Sequence, residues 1–177
     1  CSYCVIPYLR GRSRSRSFES AKAEILSSDA METVITGIDI SDYSDGDKTL
    51  KDLLDAVKDA NTRIRLGSIE ESMITPELLE NAKKLKNFAP QFHLSLQSGS
   101  NAVLKSMNRK YTREEFLREC ELIYSYFPNA SITTDIIVGF PTETEEDFLS
   151  SLSIVKEAGF FQVHAFPYSP REGTQSY

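Results

Sequence analysis

The sequence predicts an α/β fold, the greater part of a six-stranded (β/α), TIM-like barrel truncated before or around its first strand. Three observations carry this. Short β-branched or apolar runs begin near residues 33, 63, 92, 132 and 162. A helical pattern lies between each pair, and repeating strand–helix units of this size call for parallel strands joined by crossover helices. Each run ends in Gly, Pro or polar residues, at the strand ends where such barrels carry their sites. An open doubly wound sheet satisfies the same periodicity and remains the alternative.

In chain order, Phe18 to Leu26 reads as a helix with Ala21, Ile25 and Leu26 on its apolar side. Thr33 to Ile38 is a buried strand with Gly37 near its end, followed by a polar loop from Asp39 to Asp47. Thr49-Leu50-Lys51-Asp52 is a capping signal for a helix through Leu53, Leu54 and Val57. Arg63 to Ile69 is the second strand, with Ser68 at its end and Glu70 and Glu71 just beyond. Thr75 caps a helix that starts on Pro76 and turns Leu78, Leu79, Ala82 and Leu85 inward.

Phe92 to Gln97 alternates as a strand and runs into Ser98-Gly99-Ser100-Asn101. Alternation sends Ser95 and Gln97 the same way, toward the interior. Two helical pieces follow. The second opens with the capping box Thr112-Arg113-Glu114-Glu115 and buries Phe116, Cys120, Ile123 and Phe127. Ile132 to Val138 is the most β-like run and stops at Gly139-Phe140-Pro141. Thr144 to Asp147 start a helix with acids suited to its N-terminal dipole. Its expected apolar face is Phe148, Leu152 and Val155, and Gly159 ends it. Gln162 to Phe166 is the last strand, followed by Pro167-Tyr168-Ser169-Pro170.

At 177 residues, 40% hydrophobic and 26% charged, the chain has the composition of one soluble globular domain. No apolar run approaches the roughly 20 residues of a membrane helix, and the opening residues hold no apolar signal segment. Three cysteines make no disulfide framework, so a reducing, cytoplasmic setting is expected. The net charge is −6, yet residues 1–18 carry four arginines and no acid, which leaves −10 on the remainder. Beginning on a cysteine, the sequence reads as a fragment cut through a functional loop.

That loop, Cys1-Ser2-Tyr3-Cys4-Val5-Ile6-Pro7-Tyr8, presents two thiols on one turn, the donor type a soft metal or an iron–sulfur cluster takes. A thioredoxin-like redox pair or half a zinc site uses the same spacing. The redox reading lacks a preceding strand and a helix directly after. The zinc reading lacks a second Cys/His pair, since Cys120 falls on an apolar helical face. Gly37 is a turn glycine or a point of close backbone approach. Ser95, Gln97 and Ser98 are helix caps or hydrogen-bonding groups. Phe166 and Tyr168 are core aromatics or a stacking surface. Glu70 and Asp135, acids at or within strands, must be paired, with Arg63, Arg65 or Arg10, or used. His93 and His164, among apolar neighbours, read as structural. Arg10, Arg12, Arg14 and Arg16 form either a solvated Arg-Ser segment or a phosphate-binding edge.

The run Cys1 to Tyr8 with Arg10-Gly11 and Arg14-Ser15-Arg16 resembles the end of the radical S-adenosylmethionine cluster motif, Cys-x3-Cys-x2-Cys, in the form found in methylthiotransferases. Leu94 to Ser100, Met107 to Thr112, Asp135 to Pro141 and His164 to Thr174 are similar to that family as well. Arg12 to Arg16, Ile64 to Glu70 and His164 to Thr174 look closest to the branch acting on threonylcarbamoyladenosine in tRNA. The resemblance implies a [4Fe–4S] cluster held by Cys1, Cys4 and a third cysteine upstream. The open iron would take S-adenosylmethionine and yield a 5′-deoxyadenosyl radical. A methylthio group would then be placed on C2 of N6-threonylcarbamoyladenosine at position 37 of tRNA.

Cofactor contacts implied by the resemblance are Tyr3, Gly37, Glu70, Ser95, Gln97, Ile137, Gly139, Phe166 and Tyr168. The tRNA anticodon loop would dock on Arg10, Arg12, Arg14 and Arg16, and an electron donor such as a flavodoxin or ferredoxin would feed the cluster. Residues 1–177 would be the core domain of a longer protein with an N-terminal domain holding a second [4Fe–4S] cluster and a C-terminal RNA-binding domain. Relatives of the same fold act on isopentenyladenosine in tRNA or on a ribosomal protein aspartate. A non-catalytic RNA-binding (β/α) domain is the alternative of another class.

Overall fold

The computed structural model describes all 177 residues. In chain order its elements are α1 (Ile6–Arg10), α2 (Phe18–Leu26), β1 (Glu32–Ile35), β2 (Ser44–Asp45), β3 (Lys48–Thr49), α3 (Leu50–Ala56), β4 (Arg63–Leu66), β5 (Ser68–Ile69), α4 (Pro76–Lys84), β6 (Gln91–Leu94), α5 (Asn101–Ser106), α6 (Arg113–Tyr126), β7 (Ser131–Val138), α7 (Glu145–Glu157) and β8 (Gln162–Pro167). No helix is long and apolar enough to cross a membrane. The residues form two compact units, residues 1–12, 94–121 and 132–177 in one, and residues 13–93 and 122–131 in the other.

In the unit of residues 13–93 and 122–131, β1 and β4 pair in parallel, Glu32 opposite Arg63 through Ile35 opposite Leu66. The chain beyond α4 extends this pairing, with Ile64 N–H donating to Asn87 O at 2.8 Å and Ala89 N–H to Ile64 O at 2.8 Å. The strand expected over 63–69 is broken at Gly67 into β4 and β5, and β5 lies beside β6. Gly67 N–H donates to Ile35 O, and a Cβ there would meet Thr36 Oγ1 at 2.8 Å, so the backbones approach where only Gly fits.

The loop expected over 39–47 contains most of a short antiparallel hairpin, β2–β3, turning at Gly46 with φ +63°. Its Asp45 carboxylate accepts from Phe18 N–H at 2.7 Å and so caps α2 from a distance in sequence. Phe18 joins the expected Ile25 in facing inward, whereas Leu26, expected on the same face, is 46% exposed. Helices α3 and α4 follow the sequence reading. Asp52 Oδ2 accepts from Thr49 N–H at 2.8 Å, and Leu50, Leu53, Leu54 and Val57 are buried. Thr75 Oγ1 accepts from Leu78 N–H, and Leu78, Leu79, Ala82 and Leu85 are buried. The rings of Phe88, Phe92 and Phe127 meet edge-on or tilted, with centroids 5.4 to 5.8 Å apart.

In the unit of residues 1–12, 94–121 and 132–177, β7 and β8 pair in parallel, Thr133 opposite Gln162 through Val138 opposite Pro167. The strand expected over 92–97 ends at Leu94. Beyond it the buried Thr134 hydroxyl takes the place of a ladder group, donating to Leu94 O at 2.6 Å and accepting from Leu96 N–H at 3.1 Å. Gln97 then adopts φ +70°, its N–H donating to Asp135 O at 2.8 Å. The alternation expected of Ser95 and Gln97 is therefore broken. The Tyr111 hydroxyl hydrogen-bonds the carbonyls of Ser95 and Leu96 at 2.8 Å each and braces the irregular stretch.

Helix α7 also turns a different face inward. Its buried residues are Ser151 and Ile154, with Ala158 at its C-cap, while Leu152 is 48% exposed. The small Ser151 lets α7 approach Gly99, where a Cβ would meet Ser150 O and Ser151 Cα at 2.6 Å. Arg113 bridges the same contact, donating from Nη1 to Gly99 O and Ser150 O at 3.3 and 2.7 Å and from Nη2 to Glu157 at 2.5 Å. The capping box of α6 forms as expected, with Thr112 N–H donating to Glu115 at 2.7 Å and Glu115 N–H to Thr112 at 3.2 Å.

Candidate functional site

Cys1 and Cys4 sit on one turn, with Cys4 N–H directed at Cys1 O at 3.4 Å. Both are free thiols, Cys1 exposed and Cys4 half-buried. The turn leads directly into α1, a single helical turn with Pro7 near its start and Gly11, at φ +70°, closing its end. A following helix, missing from the sequence reading, is thus present, so its supposed absence does not count against a redox pair. Cys120 is buried, as expected, and burial pushes its thiol up to about 12.

Tyr3, between the cysteines, carries the loop onto the strand ends of its unit. Its ring meets Phe140 edge-on at 6.2 Å, and Phe140 meets Tyr168 edge-on at 5.2 Å. Val103, Met107 and Ile137 complete the cluster. Burial raises the Tyr3 hydroxyl above its usual range, against the opposing pull of the Arg109 guanidinium. The structure therefore brings together Tyr3, Ile137 and Tyr168 from the expected contacts, at the C-terminal ends of β7 and β8.

Gly139, at φ +78°, joins this end of β7 and donates its N–H to Glu143 at 2.5 Å. The other Glu143 oxygen, Oε1, is buried without a protein partner. Sequence reasoning missed Phe140 and Glu143. The only signal for Glu143 was an acid four residues past a strand-ending glycine. Gln97 is 8% exposed and engages Asp135 and Ile137 through its backbone. Ser95 offers its carbonyl to Tyr111. Phe166, 51% exposed, stands opposite Ile137 in the register and outside the aromatic cluster. Asp135 stands opposite His164.

Gly37 and Glu70 belong to the other unit. Gly37 is exposed beyond β1, with Ile40 Cγ2 at 3.2 Å from where its Cβ would lie. Glu70 is exposed beyond β5 and donates its N–H to Ser41 Oγ at 2.9 Å. Arg63 and Arg65, considered as its partners, both pair with Glu32. Those contacts, the Arg65 hydrogen bond first, hold the Glu32 carboxyl below its ordinary value.

The arginine run is not uniform either. Arg10, Arg12 and Arg14 are exposed and no carboxylate pairs with them. Arg16 is bound by Ser20 and Glu24 of α2, so it does not stand free as the acid-free run suggested.

Two soft thiol donors on one turn, Cys1 exposed and Cys4 half-buried, suit an iron–sulfur cluster, and the donor set fits two of its thiolate ligands. The polar backbone and aromatic faces beside the turn suit a nucleoside-bearing cofactor.

A sequence profile of the Radical SAM superfamily matches residues 1–155. The chain is 45% identical to the threonylcarbamoyladenosine tRNA methylthiotransferase MtaB of Chlamydia pneumoniae, over all of this chain and 43% of that protein. It is 40% identical to a tRNA-2-methylthio-N(6)-dimethylallyladenosine synthase of Lachnoclostridium phytofermentans, over 98% of this chain and 40% of that protein. The chain thus spans about two-fifths of the length of these relatives. Among solved structures it is similar to Streptococcus suis SuiB bound to S-adenosylmethionine, with a TM-score of 0.64 and 14% identity over 99% of this chain and 39% of that one. The fold is therefore that of a partial radical SAM domain, as the resemblance implied, with the α/β strand–helix units that the repeat predicts. The chain belongs to the Radical SAM superfamily.

Proposed function

We propose that residues 1–177 are the catalytic core of a tRNA methylthiotransferase that places a methylthio group on C2 of N6-threonylcarbamoyladenosine at position 37. The observation that carries the reading is the seating of the Cys1–Cys4 turn, through Tyr3, against the ends of β7 and β8. Likeness to the Chlamydia pneumoniae enzyme over the whole chain supports the substrate. Cys1 and Cys4 would hold a [4Fe–4S] cluster together with a third thiolate. When bound, that cluster supplies the electron for reductive cleavage of S-adenosylmethionine.

The remaining work falls to this chain's side chains. Ile137 gives an apolar contact for the adenine, and Gly139 lets the backbone approach it. Ser95, Gln97 and Tyr168 contribute from the same unit, and Phe166 serves the nucleoside. Arg10, Arg12 and Arg14 take phosphates of the anticodon loop, with Arg16 contributing less because Glu24 already holds it. A second cluster in an N-terminal domain and a flavodoxin- or ferredoxin-type donor complete the system, in a cytoplasmic setting.

A second reading, with isopentenyladenosine as substrate, is favoured by the 40% identity to the dimethylallyladenosine synthase. The test is anaerobic iron and sulfide reconstitution of the protein with its flanking sequence, alongside Cys1→Ala and Cys4→Ala. Wild type is expected to bind iron, to release 5′-deoxyadenosine under reduction, and to modify tRNA carrying threonylcarbamoyladenosine. Both variants should bind less iron than wild type, keeping only that of the N-terminal cluster, and should neither release 5′-deoxyadenosine nor modify tRNA. Modification of isopentenyladenosine tRNA alone selects the second reading. No iron binding, or variants matching wild type, overturns both.

A further inference from the structure

The two residues between the cysteines are held from outside the loop. Ser2 is buried, 6% exposed, although it neighbours an exposed thiol. Its N–H donates to Met107 O at 2.9 Å and its hydroxyl to Ser106 O at 2.9 Å. Next in the chain, Tyr3 Oη accepts from Arg109 Nη2 at 3.4 Å. Residues 106, 107 and 109 thus grip residues 2 and 3 in succession. The grip depends on the turn that ends α5. There Asn108 adopts φ +58°, and Arg109 N–H returns to Leu104 O at 2.9 Å. That geometry leaves the last carbonyls of α5 pointing out of the helix, where a helix end always has acceptors to satisfy. The guanidinium of Arg109 is steadied in turn by the face of Tyr111, 5.8 Å from the ring centroid.

From the other side, Ser176 donates its hydroxyl to Ser2 Oγ at 2.6 Å and its N–H to Ser2 O at 3.1 Å, while Tyr168 donates to Ser176 O.

We infer that the Ser106–Arg109 turn is a template that fixes the shape of the Cys1–Cys4 loop, with Arg109 and Ser2 as positioning residues for the metal-bearing site. Neither needs to touch iron or cofactor. A Cys-x-x-Cys segment free to change shape would present its two sulfurs at varying separation and angle. Anchoring both intervening residues to one rigid turn removes that freedom before metal arrives, as supporting contacts around metal ligands do. The Tyr3 ring, set by the same arginine, passes the alignment to Phe140 and so to the end of β7.

This inference rests on the reading of Cys1 and Cys4 as cluster ligands, and the experiment separates the two. Arg109→Ala, Arg109→Lys, Ser2→Ala, Tyr3→Phe, the Tyr3→Phe/Arg109→Ala double variant and Cys1→Ala are reconstituted anaerobically in the protein with its flanking sequence. Iron content, the electron paramagnetic resonance spectrum of the reduced cluster with and without S-adenosylmethionine, Tm, and kcat and KM for 5′-deoxyadenosine release are measured. Tyr3→Phe and Arg109→Ala are expected to change the spectrum and to lower kcat by about 10- to 100-fold, the cost of small misplacement of reacting groups. Their iron content should match wild type. The double variant should be no worse than the worse single, because both remove one link, and Arg109→Lys should restore part of the loss. Tyr3→Phe removes only a hydroxyl, so it decides the matter even if Arg109→Ala does not fold.

Wild-type spectra and rates in Arg109→Ala or Tyr3→Phe, or losses that add in the double variant, overturn the template. If Cys1→Ala lowers iron content below wild type and abolishes 5′-deoxyadenosine release while those variants are silent, only the template fails. If Cys1→Ala matches wild type, the cluster reading has failed.

Discussion

Gly99 N–H donates to Ser151 Oγ at 2.9 Å, and the Gly99 α-carbon lies against the backbone of α7. An added Cβ would come within 2.6 Å of both Ser150 O and Ser151 Cα. Backbone cannot swing aside as a long side chain can. Gly99→Ala should therefore destabilise its unit by about 2 kcal/mol or more, read as a lower urea midpoint at unchanged slope. An unchanged midpoint would show that α7 shifts freely.

Asp147 makes the neighbouring contact sensitive to pH. Its carboxylate accepts from the Ser100 hydroxyl and from Thr144 N–H, and these bonds, Ser100 first, hold it below its ordinary value. A carboxyl lowered on folding adds stability above its unfolded value of about 4, and this is lost as pH falls through the folded value. Urea midpoints of wild type should exceed those of Asp147→Asn near neutrality and converge with them below about pH 4. A constant gap across that window would contradict the assignment.

Thiol accessibility separates Cys1 from Cys120. Cys120 is 1% exposed with its thiol pushed up to about 12, whereas Cys1 is exposed. With iodoacetamide at pH 8, mass spectrometry of the native apoprotein should find Cys1 labelled and Cys120 intact, with Cys120 reacting only in denaturant. Labelling of Cys120 in the native state would mean that the α6 face opens.

For tRNA binding, Arg10→Ala, Arg12→Ala and Arg14→Ala should each weaken affinity. Each should also flatten the dependence of log affinity on log salt by about 0.7, the contribution of one single-strand phosphate contact. Arg16→Ala should change both less, since Glu24 and Ser20 already engage its guanidinium. Equal effects at all four positions would show that the Glu24 pair breaks on binding.

Much of the fold was legible because it rests on local chemistry. Asp52 and Glu115 accept backbone N–H groups where the capping patterns placed them, and Leu78, Leu79, Ala82 and Leu85 all face inward. The reading failed where a remote partner sets the outcome. Asp45 caps α2 across 27 residues, Thr134 replaces a ladder bond to the chain at Leu94–Leu96, and Ser151 rather than Leu152 faces inward because Gly99 admits α7 closely. Periodicity within one segment carries no trace of such partners. The same holds for the candidate site. Cys1 and Cys4 stand out as a thiol pair by spacing and as cluster ligands only by resemblance, whereas Phe140 and Arg109 are set beside them by tertiary contacts alone.

The sequence by itself determined the parallel strand–helix repeat, the local caps at Thr49, Thr75 and Thr112 and the two-thiol turn, since each depends on patterns within short stretches of chain. Tertiary structure alone decided which face each helix buries, where alternation breaks after β6, and how Ser106, Met107 and Arg109 grip Ser2 and Tyr3. Those outcomes are contacts between segments 27 to 106 residues apart in sequence, fixed by which surfaces pack without leaving buried polar groups unsatisfied.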